Sequence, residues 1–147
     1  YPFDMEKFTV FVLALFFSAT AFAETPIRVI DGDTFARGEY RYRISGIDAP
    51  ESGDVCPDGY PAGREATKLL TALLSNDNVE CADLGRDRYG RVVTQCTWFG
   101  YDIAEMMVSE GLAWDWPRYS NGRYERAQTI ASSEKRGIWW HGCVWGR

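Results

Sequence analysis

A length of 147 residues amounts to one domain. The formal net charge of −5 is unusual for a non-specific nucleic-acid binder, whose affinity comes largely from basic patches. One histidine, His141, and no Cys-x-x-Cys spacing leave little from which to build a structural zinc site, a histidine-dependent phosphodiester mechanism or a serine-protease triad.

Residues 1–4 precede a start at Met5 and are set aside, as an expression scar or an early start would be. Met5-Glu6-Lys7, the apolar run Phe8 to Phe17, and Ala21 and Ala23 before Glu24 have the layout of a signal peptide with an A-x-A-like cleavage site. The run is short for a membrane span. The expectation is therefore a single domain over residues 24–147, exported to a periplasm or secreted, with no stable membrane association after cleavage. The charge of −5, less the −1 carried by Asp4, Glu6 and Lys7, leaves −4 for that domain. In an exported small domain the even set Cys56, Cys81, Cys96 and Cys143 favours disulfides over metal. Three pairings are possible. Cys81 and Cys96 lie in adjacent strand-like runs and are the favoured pair, leaving Cys56 with Cys143 to pin the loop after Glu51 to the C-terminal tail.

Ile27 to Ile30 reads as a first strand and Asp31-Gly32-Asp33 as a turn. Thr34 to Arg37 is extended again, and Arg37-Gly38-Glu39 turns the chain into Tyr40 to Ile44. There Tyr42 and Ile44 face one way while Arg41 and Arg43 face the other, so Arg43 is expected to project off the surface opposite the core. Ser52 to Tyr60 is rich in Gly, Pro and Asp and reads as a mobile loop. Pro61 opens a helix whose apolar stripe is Ala62, Ala66, Leu69, Leu70 and Leu73. Val79 to Leu84 and Arg91 to Trp98 are two further strands. Asp102 with Glu105 starts a second helix that Gly111 ends. A third runs from about Gly122 to Arg136, with Gly137 as its stop. The pattern supports an α+β fold with five strands and three helices.

Between Asp31 and Glu51 four carboxylates and Arg43 crowd around two turns: Asp31-Gly32-Asp33-Thr34, then Arg43-Ile44-Ser45-Gly46-Ile47-Asp48-Ala49-Pro50-Glu51. Asp87-Arg88-Tyr89-Gly90-Arg91 follows later. Hard carboxylate oxygens suit Ca²⁺ or Mg²⁺, and paired guanidinium groups suit a phosphate. Asx-turns that cap their own backbone account equally well for an isolated Asp-Gly-Asp.

With Gly111-Leu112-Ala113 and Gly137-Ile138-Trp139, these segments resemble the thermonuclease (staphylococcal-nuclease-like) family, in family order from about Pro26 to Trp139. The resemblance implies an oligonucleotide-binding-type (OB-fold) five-stranded barrel with three packed helices. It implies Ca²⁺ held by Asp33, Asp48 and the backbone carbonyl of Ala49, with Asp31 in the outer shell. It implies Arg43 and Arg91 as donors to the phosphorus-bound oxygens, and Glu51 as partner of the attacking water. A carboxylate beside a divalent cation is a weak base, so Glu51 is expected to orient the water. Arg88 and Tyr89 fall at positions for a terminal phosphate and sugar, with Arg88 standing where the best-known pattern has lysine, and Tyr119 is a stacking candidate. Trp114 and Trp116 are further stacking candidates, although aromatics near a helix end more often pack; Trp139, Trp140 and Trp145 read as cover for the C-terminal core, and His141 as a surface residue.

The expected activity is hydrolysis of DNA and RNA, preferably single-stranded, by a monomer with little sequence specificity, since nothing here resembles a groove-reading element. Products with 3′-phosphate ends follow from the resemblance. The competing reading is a non-catalytic nucleic-acid or protein binding module. Retention of Asp33, Arg43, Asp48, Glu51 and Arg91 together argues against it.

Overall fold

The computed structural model describes residues 25–144. The expected leader and Trp145 lie outside the described residues. Strand β1 (Ile27–Asp31) turns at Gly32-Asp33 into β2 (Thr34–Arg37), which pairs antiparallel with β3 (Tyr40–Ile44) so that Thr34 faces Arg43. A two-residue β4 (Ile47–Asp48) leads through the loop to α1 (Ala62–Leu74). The hairpin β5 (Val79–Arg86) and β6 (Val92–Trp98) follows, and β7 (Tyr101–Asp102) folds back on β6. Helix α2 (Ile103–Ser109), β8 (Trp114–Asp115), the single turn α3 (Pro117–Ser120) and α4 (Glu125–Ser133) precede a 3₁₀ turn at Gly137–Trp139.

The main sheet has the order β1-β2-β3-β6-β5, with only the β3–β6 step parallel; β4 and β8 form a separate antiparallel pair. A groove of about 660 Å³ touches Ile27 on β1, Phe35 and Tyr42 on β2 and β3, and Val79, Cys81 and Asp83 on β5. One groove can meet both edges and the middle only if the sheet curls. This is the α+β, OB-fold-type architecture expected, although β1 and β5 do not pair and close the barrel among the described residues.

The five anticipated strands are present, and the three short ones carry too few residues for a period-two signal. The first two anticipated helices are present, and capping sets the ends of α2. Ala104 N–H donates to the Asp102 carboxylate at 2.9 Å, and Gly111 takes the left-handed φ of +68° that a C′ residue needs. The third is shorter than anticipated. Asn121 and Gly122, at φ +55° and +77°, break the chain between α3 and α4, and Lys135 leaves helical geometry at +53°.

Helix α1 packs Ala66, Leu70, Leu73 and Leu74 into a core with Phe35, Ile44, Ile47, Ile103 and Met107. Cys81–Cys96 links directly opposed residues of β5 and β6. Cys56–Cys143 ties the loop after Glu51 to the C-terminal tail across 87 residues of sequence. The same clasp uses His141, which stacks on Tyr60 at 3.8 Å and lies 2.7 Å from the Asp58 carboxylate. His141 is thus half-buried instead of a free surface residue. Trp114 and Trp139 pack in the adjoining cluster with Ile138, whereas Trp140 is 65% exposed and carries the Lys135 ammonium 5.5 Å from its ring.

Two glycines set how closely α1 approaches the functional turns. A Cβ on Gly32 would stand 2.6 Å from that of Ala66 and 2.8 Å from that of Ala49, and one on Gly63 would stand 1.6 Å from the Glu51 carbonyl oxygen. Helix propensity alone makes Gly→Ala stabilising by about 1 kcal/mol. Gly63→Ala is expected to reverse that sign, destabilising by about 1–3 kcal/mol as overpacked sites do. Urea unfolding checks it, and stabilisation would contradict the contact.

Candidate active site

The β1–β2 turn buries two carboxylates. Asp31 and Asp33 are 7% and 5% exposed. The Asp31 carboxylate accepts the Asp33 N–H at 3.2 Å, while Asp33 accepts from the Thr34 hydroxyl at 2.9 Å and from the Ala49 N–H at 2.7 Å. The last bond fastens the segment after β4 onto the turn. The Asp33 carbonyl, in turn, accepts the Ile44 N–H at 2.8 Å.

Arg43 closes this arrangement. Its Nη2 lies 3.2 Å from Asp33 Oδ2 and 3.4 Å from Asp48 Oδ1, and its Nη1 donates to the Ile44 carbonyl at 2.7 Å. With Trp116 5.5 Å from its guanidinium, Arg43 is 8% exposed. The expectation that Arg43 stands off the surface is corrected: two carboxylates and an indole cover it. The guanidinium is the wall between the buried acids and a cleft of about 390 Å³ bordered by Arg43, Arg88, Tyr89, Arg91, Trp116 and Tyr119.

Arg91 enters from the β5–β6 turn. Its Nε donates to Asp87 Oδ2 at 2.6 Å, and its backbone N–H donates to the other carboxylate oxygen at 3.0 Å. Burial alone would raise the Asp87 pKa, but hydrogen bonds from Arg91 and from the Tyr89 N–H carry it below the usual carboxylate value. Asp87 therefore stays ionised and fixes one edge of the Arg91 guanidinium. Tyr89 lies 5.4 Å from Arg91 and 4.7 Å from Arg88. Glu51 is exposed at the start of the clasped loop, where its N–H donates to the Asp54 carboxylate at 2.9 Å.

The fold thus gathers Arg43, Arg91, Arg88, Tyr89 and Tyr119 around one cleft, with Asp33 and Asp48 behind Arg43 and Asp31 beneath Asp33. Glu51 does not border the cleft itself. After burial and the Asp33 carboxylate, the Glu51 charge adds to the upward shift of the Asp31 pKa. Sequence reading favoured packing over stacking for Trp116, which meets Tyr119 edge-on at 4.5 Å, and missed Arg118, 5.7 Å from the Tyr119 ring. The interleaving of Trp116, Arg118 and Tyr119 was the available signal. Asp87 was missed as the residue that positions Arg91, although an acid four residues before an arginine on one turn pointed to it.

Burial, and after it the neighbouring Asp33 charge, pushes the Asp31 pKa up to about 7. A divalent cation would relieve that excess of negative charge. Asp33, Asp48 and the Ala49 carbonyl supply the hard oxygens calcium prefers. Among the described residues no three Asp, Glu, His or Cys side chains form a group able to hold a metal ion, so main chain and water would have to complete the shell. In donor chemistry the residues fit such an ion.

Residues 41–141 match the family described as staphylococcal nuclease homologue. The chain is 38% identical over 136 residues to the succinoglycan biosynthesis protein ExoI of Rhizobium meliloti, covering 86% of this chain and 71% of that protein. It is 33% identical over 119 residues to an uncharacterized endonuclease of Escherichia coli (77% and 74% covered). With the thermonuclease of Staphylococcus hyicus it shares 35% identity over 124 residues (77% and 73% covered).

The Asp31 shift fixes the sign of a pH effect in metal-free protein. Between the ordinary value of 3.8 and about 7 the folded state binds more protons than the unfolded one, so stability falls as pH rises through that window. Thermal unfolding in EDTA is expected to show a midpoint that declines across it, and Asp31→Asn is expected to flatten the decline. An unchanged slope in the variant would contradict the assignment to Asp31.

Proposed function

Because the chain belongs to the family of staphylococcal nuclease homologues, we propose that it is an exported, Ca²⁺-dependent nuclease that hydrolyses DNA and RNA, preferably single-stranded, as a monomer. The observation that carries this reading is Arg43, shared between a buried acidic site and an arginine- and aromatic-lined cleft. Such a cleft suits a flexible phosphodiester chain, with guanidinium forks for phosphate and ring faces for bases. Periplasmic or extracellular location rests on the leader-like residues 5–23 and on the paired cysteines.

Asp33 and Asp48, with the Ala49 carbonyl, would hold the calcium ion, and Asp31 would support them from the outer shell. When bound, the ion supplies Lewis-acid neutralisation of charge on a phosphate oxygen. Arg43 and Arg91 donate to the oxygens on which negative charge accumulates, and Asp87 keeps Arg91 aimed. Glu51 orients the water whose oxygen attacks phosphorus. The bond to the 5′-oxygen breaks, that oxygen takes up a proton, and a 3′-phosphate end remains. Tyr89 and Arg88 hold the neighbouring sugar and phosphate, and Tyr119 a base. The net negative charge is offset locally, since arginines crowd the cleft while the acids lie behind Arg43.

Digestion of single-stranded DNA with Ca²⁺ is expected, and EDTA is expected to stop it. Glu51→Gln and Arg91→Ala should each lower the rate by about 10²- to 10³-fold, as loss of one preorganised catalytic contact does. Asp87→Asn should cost less, because it loosens Arg91 without removing it. Wild-type protein that digests the strand no faster than Glu51→Gln would leave the non-catalytic binding module as the reading.

A further inference from the structure

The aromatic–arginine pairing of the cleft does not stop at its rim. On the far side of the β5–β6 turn, the Arg86 guanidinium lies 5.6 Å from the ring of Tyr40. A separate depression of about 270 Å³ is bordered there by Glu39, Tyr40, Arg41, Arg86, Tyr89 and Arg91. Arg86, Tyr89 and Arg91 border both spaces, and Tyr89 is the exposed ridge between them. Tyr40 and Tyr89 are 54% and 67% exposed, an arrangement that burial does not account for. Arg86 Nη1 donates to the Gly90 carbonyl at 2.9 Å, which holds its guanidinium against the turn. Arg41 adds a second positive charge, against the single carboxylate of Glu39.

We infer that Tyr40, Arg86 and Arg41 form a second subsite, which takes a base and a phosphate of the same single-stranded nucleic acid where that strand continues over Tyr89 from the cleft. The inference rests on the nuclease reading and deepens it: the substrate is a polymer, and its binding is shared between two depressions. Three features select this occupant. The subsite is continuous with the cleft, its charge complements a phosphate chain, and every base offers a face that can stack on tyrosine beside a guanidinium. Sequence preference at the subsite is slight, since ring stacking reads no base edge.

The test uses an oligothymidylate of about 12 nucleotides, within the usual site size for such proteins. Binding is measured by fluorescence anisotropy with Ca²⁺ present, on a Glu51→Gln background that slows cleavage about 10²- to 10³-fold. Tyr40→Ala is expected to weaken binding on the order of 10-fold, and Tyr40→Phe to keep it. Arg86→Gln is expected to reduce the salt dependence of log Kd by about 0.7, the share of one single-strand phosphate contact. In the otherwise wild-type protein, Tyr40→Ala should leave hydrolysis of a mononucleotide nitrophenyl ester unchanged. Unaltered oligonucleotide affinity in Tyr40→Ala overturns the subsite, as does an equal fall for ester and oligonucleotide, which would mean that the shared turn was disturbed. Oligonucleotide that is bound with this pattern but never cleaved by the wild-type chain would refute the nuclease reading and leave the subsite standing.

Discussion

Arg43 sits between Asp33 and Asp48, and the rest of the site is arranged around that contact. A buried guanidinium is tolerable only with its charge matched and its donors occupied. Here Nη2 faces both carboxylates and Nη1 reaches the Ile44 carbonyl. The pairing of β2 with β3 places Thr34 opposite Arg43, and the bond from Ala49 N–H to Asp33 brings the segment after β4 to the same point. Three elements are thereby tied at one charged centre. Removing one member of such a cluster would leave an uncompensated buried charge, a loss of about 3–5 kcal/mol.

The charges around this centre do not balance. Asp31 and Asp33 are both buried beside one arginine that also serves Asp48, and Asp31 responds by holding its proton to about 7. On the other side of Arg43 the balance reverses, with Arg88, Arg91 and Arg118 opposed chiefly by Asp87. A chain that is acidic overall thus separates its charge across a single side chain. Apart from Lys68 and Lys135, the basic residues of the described chain are arginines. That choice suits bidentate contact with phosphate and stacking on aromatic rings better than an ammonium group would.

Much of this was legible in the sequence because local rules agreed with the global fold. Asp102 and Gly111 mark the ends of α2 by capping chemistry, and the stripe from Ala62 to Leu73 marks the buried face of α1. The opposed positions of Cys81 and Cys96 followed from two adjacent strand-like runs. The third helix is shorter than its composition suggests because Gly122 at its anticipated start and Lys135 near its anticipated end both take left-handed geometry. The burial of Arg43 was not legible either. Alternation along β3 gives the direction of a side chain but cannot say that Asp33, Asp48 and Trp116 arrive from elsewhere to cover it. Arg118 was missed, and Trp116 was read as packing, for the same reason, since only the tertiary fold brings that turn to the β5–β6 hairpin. The mutual approach of Gly111 and Gly137, where Ile138 N–H donates to the Gly111 carbonyl at 2.8 Å, gives a physical reason for two short glycine motifs that otherwise read only as helix ends.

The central claim is that Asp33 and Asp48 form a cation site behind a phosphate-binding arginine. Calcium titration by isothermal calorimetry tests it most directly, on the wild-type protein and on Asp33→Asn. The account predicts saturable binding of one ion by the wild type and affinity at least about 10-fold weaker in the variant, as loss of one hard anionic ligand implies. Equal calcium affinity in the two proteins, or no binding by a folded wild type, would contradict it.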